Sequence, residues 1–272
     1  MTKILRTIAE RASRNISFKA HLPARFGRRP IYVSPGNQLA IWKPGNAKFQ
    51  DFLLGFVDRF VTSDMVVWDV GANMGMFLLP AAHRARQVIG FEPDAFNQLL
   101  LNRTPAANPD LAIDIVPCAV ADRVGIAQFE IVVRGRASNG LASVNIGTQT
   151  GSVRQSINVV TLSLDWALDH FSAPDFVKID AEVAEALILR GAVRLLRDVR
   201  PVMAVEICRP SSPECESLFA ANDNAVFSAY EPIDPAKVMT RDLYVAGDVI
   251  AVPQERVSAL VGRCPAMLFS AL

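Results

Sequence analysis

A chain of 272 residues that is 51% hydrophobic and 20% charged can bury a full core, which excludes a disordered chain and a disulfide-stapled miniprotein. No apolar run approaches the roughly 20 residues that span a bilayer, and the N-terminus is charged where a secretory signal would carry its apolar block. Net charge is +1, and no basic patch interleaved with aromatics points to a nucleic-acid partner.

The charge is unevenly spread. Residues 1–30 hold eight basic residues and one acidic residue, Glu10, so the rest of the chain is net negative. Ile4, Leu5, Ile8, Ala12 and Ile16 recur at helical spacing, with Lys3, Arg6, Arg11 and Arg14 elsewhere on the wheel. That pattern predicts an amphipathic basic helix. Two readings stand for it: a helix packed on the domain with its charges in water, or a peripheral contact with a membrane surface or an acidic substrate. A mitochondrial presequence is a third, which Glu10 disfavours. The expected organisation is an N-terminal helical extension over 1–49 and one domain over 50–272. Oligomeric state is left open. Cys118, Cys208, Cys215 and Cys264 match no zinc spacing and read as reduced thiols of a cytoplasmic protein, one that in the second reading sits at the inner face of a membrane.

From residue 65 the chain alternates in type. MVVWDV (65–70) is a short apolar run and predicts a buried strand. MFLLPAAHR predicts a helix kinked at Pro80. QVIGFEP (87–93) predicts a strand, and DAFNQLLLN (94–102) a helix capped by Asp94. LAIDIVPCAV predicts a third strand and IAQFEIVV (126–133) a fourth. RASNGLASVNIGTQTG (136–151) reads as a loop or lid. INVVTL is strand-like, LSLDWALDHF helical, DFVKID (175–180) a strand, AEVAEALILRGAVRLL (181–196) a helix and PVMAVEI (201–207) a strand. DLYVAGDVIAV predicts a closing hairpin. Strands alternating with helices imply a doubly wound, mostly parallel α/β sheet, and the absence of repeats implies one domain.

In such sheets, ligands sit beyond the carboxyl ends of the strands. WDVGANMGMF (68–77) lies at such an end. A dinucleotide fingerprint wants G-x-G-x-x-G, and here the order is Gly71-x-Asn73-x-Gly75. Asp69 just before it would repel a phosphate. It suits a ligand with a cationic amino group, such as the methionine end of S-adenosylmethionine, and the glycines then serve the turn and close approach. Glu92 ends the next strand, 21 residues after Gly71, where a carboxylate can accept from both hydroxyls of a ribose. The bland alternatives are that Asp69 caps the turn and Glu92 lies on the surface.

These residues carry a resemblance. VVWDVGANMGMF, VIGFEPDAFN, VVTLSLD, FVKIDAEVAEALILRGA and PVMAVEI, in that order, resemble the FkbM-type methyltransferases, a branch of the class I S-adenosylmethionine-dependent enzymes. The resemblance covers roughly residues 50–210, and the K-I-D-x-E block is its specific part. It implies a Rossmann-like sheet of seven strands and O-methylation of a sugar, glycolipid or small-metabolite hydroxyl. It implies that Asp69, Gly71, Asn73 and Gly75 form the cofactor loop, that Glu92 holds the ribose, and that Cys118 and Ala119 lie near the adenine. The family pattern D-x-E-G-x-E is broken by Val183, which stands where the family has glycine. If that position needs φ > 0, valine is strained there; if it is an ordinary first helical turn, valine costs only space.

A methyl group on sulfonium is already activated, so most of the gain comes from orientation, with help in removing the acceptor's proton. Asp180, Glu182 and Glu206 at strand ends are the candidate catalytic groups. Asp180 is equally a candidate N-cap for a helix starting at Ala181. The three carboxylates could instead hold Mg²⁺, a reading the sequence does not favour. His83 reads as structural, and His21 and His170 lie in or beside connections. The expected function is S-adenosylmethionine-dependent methyl transfer to a small-molecule or glycan acceptor. The alternative is a diverged, non-catalytic nucleoside- or glycan-binding homologue.

Overall fold

The computed structural model describes residues 16–37, 51–133, 139–144 and 153–264. The predicted basic helix falls almost wholly on residues 1–15, outside the described ones. The rest of the expected helical extension differs from expectation. Phe18–His21 (β1) and Pro30–Val33 (β2) form an antiparallel pair around a short turn at Ala24–Phe26. Ala20, Leu22, Phe26, Ile31 and Val33 enter the main core, so this segment is packed on the domain.

The central sheet has seven strands. Val66–Val70 (β3), Gln87–Phe91 (β4), Ile113–Val116 (β5), Phe176–Ile179 (β10) and Val202–Glu206 (β11) run parallel, joined by Asn224–Ser228 (β12) and Asp248–Pro253 (β13). The order is β12-β13-β11-β10-β3-β4-β5, and β13 runs antiparallel to both its neighbours. All five residues of β3 are buried, as expected for a strand covered on both faces. The chain winds out from β3 to β4 and β5 on one side and to β10 and β11 on the other. The border of β3 and β10 is therefore the switch point, where Rossmann-like α/β folds open a crevice.

Period-two alternation divides the core between the sheet faces. Val67, Val88, Phe176 and Ala204 face one layer, with Asp51–Phe60 (α1) and Leu78–Arg84 (α2); Ala95–Ala107 (α3) flanks it. Trp68, Val70, Ile89, Val177 and Met203 face the other, with Leu164–Leu168 (α4), Glu185–Arg190 (α5) and Ser212–Ala221 (α6). By the same alternation Asp69 and Lys178 share the first face. A second sheet, β6-β9-β7-β8, contains Ala119–Val120 (β6), Gly125–Val132 (β7), Gly140–Leu141 (β8) and Val153–Leu162 (β9).

Several elements depart from the sequence reading for local reasons. LAIDIVPCAV is two strands: Pro117, which has no N–H, breaks the ladder, and β6 pairs with β9 in the other sheet. Within the expected 136–151 loop, Gly140–Leu141 pairs with β7, while 145–151 lies outside the described residues. Pro80 is the third residue of α2, where a helix N–H has no partner anyway, so no kink is needed. DLYVAGDVIAV does not fold on itself: Leu243–Val245 is a 3₁₀ turn, and the C-terminal antiparallel pairing forms between β12 and β13, with β11 on the other side of β13. The helix expected from Ala181 starts only at Glu185. Asp94 caps α3 as expected, accepting from the Phe96 and Asn97 N–H groups.

Phe176 opens β10 and is 1% exposed, with the rings of Phe56, Phe60 and Phe77 around it. Phe176→Ala should cost about 3–5 kcal/mol of stability. Urea denaturation measures it, and a loss below about 1 kcal/mol would mean the cluster is not the keystone under β10.

Candidate functional site

The turn after β3 is built for close approach. Gly71 has φ +75°, and a Cβ there would lie 2.0 Å from the Asp180 carbonyl oxygen. No other residue type fits. Asn73 (φ +52°) and Gly75 (φ +90°) continue the left-handed turn, which asparagine tolerates best among non-glycine residues. The Gly71 and Ala72 N–H groups donate to the Phe91 carbonyl at the end of β4. Asn37, from the N-terminal segment, donates to the side-chain oxygens of Asn73 and Asn97, each at 2.5 Å.

Glu92 is 4% exposed and far from a surface residue. Its Oε2 accepts from Asn73 N at 2.8 Å; its Oε1 accepts from Asp94 N at 2.8 Å and Asn97 Nδ2 at 3.3 Å. Of about four lone-pair sites on a carboxylate, one on Oε2 stays free among the described residues. Glu92 can thus accept from one hydroxyl outright, and from a second only by displacing the long Asn97 contact. Burial pushes its pKa up to about 7, against the backbone hydrogen bonds that lower it.

Two clefts open at this end of the sheet. One, about 540 Å³ including its mouth, runs past Glu92, Cys118, Ala119, Phe129, Asn139 and Leu141. The other, about 800 Å³ with its mouth, is lined by Asn37, Leu53, Met74, Phe77, Lys178 and Glu206, among others. Gly71, Asn73, Asp180 and Glu182 line both and form the shared wall. Gly75 lines neither; a Cβ there would meet Leu101, so it serves the turn.

Asp69 lines neither cleft. It is fully buried, with Lys178 Nζ 3.2 Å from its Oδ1. The charge it meets here is internal, that of Lys178. Lys178 Nζ also lies 3.2 Å from the Gly71 carbonyl and 3.4 Å from Asp180 Oδ2. Burial raises the Asp69 carboxyl and by itself would lower Lys178. Lys178 offsets only part of the rise at Asp69, while Asp69 and Asp180 carry Lys178 above the ordinary lysine value.

Asp180 is not an N-cap, because α5 starts five residues later. Burial would raise its pKa, but the Lys178 charge and a hydrogen bond from Glu206 carry it below the ordinary value. Glu206 is its complement. Although its side chain reaches solvent, desolvation in the cleft and then the Asp180 charge push it up to about 9. The two carboxyls are thus pushed in opposite directions, Asp180 down and Glu206 up. Glu182 is pushed up to about 7 by burial, with Asp180 and Glu185 adding repulsion. Asp248, across the strand from Glu206, accepts from the Tyr230 hydroxyl at 2.6 Å. Among the described residues, no group of three or more His, Cys, Asp or Glu side chains is arranged to hold a metal ion.

The loop that presents Glu182 is strained. Glu182 has φ +45° and Val183 φ +69°, so Val183 does stand where glycine would be relaxed. A β-branched residue there is a genuine outlier. The three histidines stay outside the site: His83 packs edge-on to Phe26, His170 stacks on Trp166, and His21 ends β1.

Sequence reasoning missed Lys178, Asn37 and Asn139. Lys178 carried a signal: a lysine in an otherwise apolar strand, two residues before an aspartate. Asn139 donates to Asp94 Oδ2 at 2.8 Å and accepts from Val132 N, so the second sheet closes over α3's N-terminus. Nothing local in the sequence announces that contact.

A Rossmann-like α/β fold with paired clefts at its switch point, a glycine turn after the first strand and an acid after the second is the architecture of a nucleoside-binding domain. The chain belongs to the methyltransferase FkbM domain family, whose model matches residues 69–228. It is 27% identical over 171 residues to the hexuronic acid methyltransferase AglP of Haloferax volcanii, an overlap of 61% of this chain and 66% of that protein. Among solved structures it is similar to a methyltransferase FkbM from Methylobacillus flagellatus, with 16% identity, a TM-score of 0.45, and 71% of this chain and 44% of that one covered. The T. thermophilus 16S rRNA N2 G1207 methyltransferase, solved with AdoMet and guanosine, is also similar: 16% identity, a TM-score of 0.46, and 88% of this chain and 50% of that one. The chain thus spans less than two thirds of these relatives' lengths. Among the described residues, no helix is long and apolar enough to cross a membrane.

Two outcomes are expected. Val183→Gly should raise stability by about 1 kcal/mol, because left-handed backbone costs an L-residue about 1–2 kcal/mol and glycine's own entropy offsets part of it; a loss on chemical denaturation would mean that Val183's packing outweighs the strain. The raised carboxyls also set a pH dependence. Glu182 and Glu206 keep protons when folded that the unfolded chain releases near pH 4.5. Stability should therefore fall as pH rises from about 4.5 towards 9. Glu206→Gln should flatten the upper half of that slope and match wild type near pH 4, as thermal melts across pH would record.

Proposed function

We propose that the protein transfers a methyl group from S-adenosylmethionine to an oxygen of a small-molecule or glycan acceptor. The observation that carries this reading is the shared wall: two clefts meet at Gly71, Asn73, Asp180 and Glu182, so ligands in them would face each other there. The first cleft suits the nucleoside. Phe129, Leu141, Val120 and Cys118 offer apolar sides for a purine, and the free acceptor site on Glu92 Oε2 offers a hydroxyl partner. The cofactor supplies an activated methyl group, so the protein's contribution is orientation and proton removal.

The three carboxylates then divide by environment. Asp180, held ionised by Lys178, is a weak base and a fixed negative charge suited to a cationic ligand. Glu206, protonated at neutral pH, keeps its proton towards Asp180. Glu182, near 7 and lining both clefts, is the best matched of the three to take a hydroxyl proton at neutral pH. The acid-rich wall also disfavours a phosphate backbone, which supports a small acceptor over nucleic acid. Mg²⁺ has no assigned place in this reading.

Isotopically labelled S-adenosylmethionine, incubated with the protein and fractionated extract, should mark the acceptor for mass spectrometry. No labelled product and no S-adenosylhomocysteine, with cofactor binding intact, would favour the non-catalytic homologue instead. Glu92→Gln should weaken cofactor binding by roughly 10–100-fold, the scale of a lost charge-assisted hydrogen bond. Wild-type affinity should drop as pH falls through about 7 and Glu92 takes up a proton, and the glutamine variant should lose that part of the dependence, keeping only what Glu182 contributes. Isothermal titration from pH 6 to 8 decides this, and equal pH dependence in both proteins would remove Glu92 from the ribose role.

A further inference from the structure

We propose that Lys178 is the positioning residue of this site: a buried ammonium that pins the cofactor turn to the acceptor wall and holds Asp180 as the fixed negative charge beside Glu182. This deepens the methyltransferase reading and rests on it. The placement starts from strand register. In the parallel pair β10–β3, Lys178 stands opposite Asp69, and both are buried. An ammonium has three donors. Three acceptors surround this one: Asp69 Oδ1 at 3.2 Å, the Gly71 carbonyl at 3.2 Å and Asp180 Oδ2 at 3.4 Å. Of these, the Gly71 carbonyl is hydrogen-bonded and the two carboxylates lie at ion-pair distance, so Lys178 is engaged with its neighbours on every side it meets.

Those neighbours belong to different parts of the site. Asp69 is the penultimate residue of the buried strand, Gly71 begins the turn, and Asp180 belongs to the wall that both clefts share. The Gly71 and Asp180 backbones already touch, since a Cβ at 71 would lie 2.0 Å from the Asp180 carbonyl. One cation therefore ties together the two segments that bring donor and acceptor face to face.

The surrounding charges make this cation hard to replace. Asp180 is faced by Asp69 from β3, Glu206 from β11, Asp248 from β13, and Glu182 and Glu185 from the turn into α5. All are acids. Among the described residues, Lys178 is the one cation within ion-pair distance of Asp69 or Asp180. Without it, nothing would offset the repulsion of these acids on Asp180, and its negative charge would no longer be held. The repulsion Asp180 exerts on Glu182 would fall with it.

The test reads Asp180 directly. Protein labelled with ¹³C at the aspartate side-chain carboxyl carbons is titrated by NMR, and the Asp180 signal is assigned by its loss in Asp180→Asn. In wild type, Asp180 should titrate below an ordinary aspartate. Lys178→Met alone strands the Asp69 carboxylate and can unfold the chain, so the variant used is Lys178→Met/Asp69→Asn, which removes both charges. There the Asp180 midpoint should rise by about 1–3 pH units, the span set by a neighbouring cation, and binding of S-adenosylhomocysteine, followed by isothermal titration, should weaken. Asp69→Asn alone should leave Asp180 low, because the ammonium remains. A wild-type Asp180 that titrates at or above the ordinary value overturns the proposal without any variant. So does an unmoved midpoint in the double variant. Unchanged S-adenosylhomocysteine affinity there overturns the pinning of the turn. Failure of wild type to bind S-adenosylhomocysteine is a different result: it removes the cofactor reading, while the Asp180 titration still reports what Lys178 does.

Discussion

The interaction on which the rest of this structure depends is the buried ion pair of Asp69 and Lys178, facing each other across β3 and β10. Taking two charges out of water costs several kcal/mol per ion, and geometry must repay it. A well-packed apolar pair would serve the core at least as well. The pair therefore marks a place where the molecule gives up simple packing for polar organisation, and that place is the switch point of the sheet. Gly71, Asn73, Asp180 and Glu182, the wall that both clefts share, lie at that border.

Around the pair, the backbone is tight and strained. Gly71 passes against the Asp180 carbonyl with no room for a side chain. Asn73, Glu182 and Val183 all have left-handed backbone. Strain of this kind costs of order 1–3 kcal/mol per residue and persists only where the surroundings over-determine it. Here those surroundings are the parallel strands beneath, the Asn37 bridge to Asn73 and Asn97, and β8, whose Gly140 passes close to the Glu182 carbonyl. The valine in place of the family glycine is held by the same enclosure.

The electrostatics follow from crowding acids at one sheet end. Burial and mutual repulsion push Glu182 and Glu206 up, while Lys178 carries Asp180 down. Chemically similar carboxyls thus acquire different protonation states near neutrality, which is how a site separates a fixed charge from a proton acceptor. Glu92, isolated on the far side of the turn, is tuned by burial and by the N–H groups that hold it rather than by neighbouring acids alone.

Much of this was legible in the sequence, for a physical reason. Buried parallel strands must be continuous apolar runs, so VVWDV, QVIGF, FVKI and VMAVE announce themselves, and the residues just past their ends are the ones able to meet a ligand. Gly71, Asn73, Glu92, Asp180 and Glu206 follow from that rule alone. Side-chain partners do not, because they are set by register between segments more than 100 residues apart. The sequence shows a lysine at 178 and an aspartate at 69; only the pairing of β10 with β3 shows that the two charges meet. The same holds for Asn37 and Asn139, which reach the site from outside the family blocks, and for the turn at 182–183, where helical propensity in AEVAEALILR lost to the enclosure that presents Glu182. Local pattern determined the strands and the ends where chemistry could occur. Long-range packing decided which charges face the clefts and which are spent on one another.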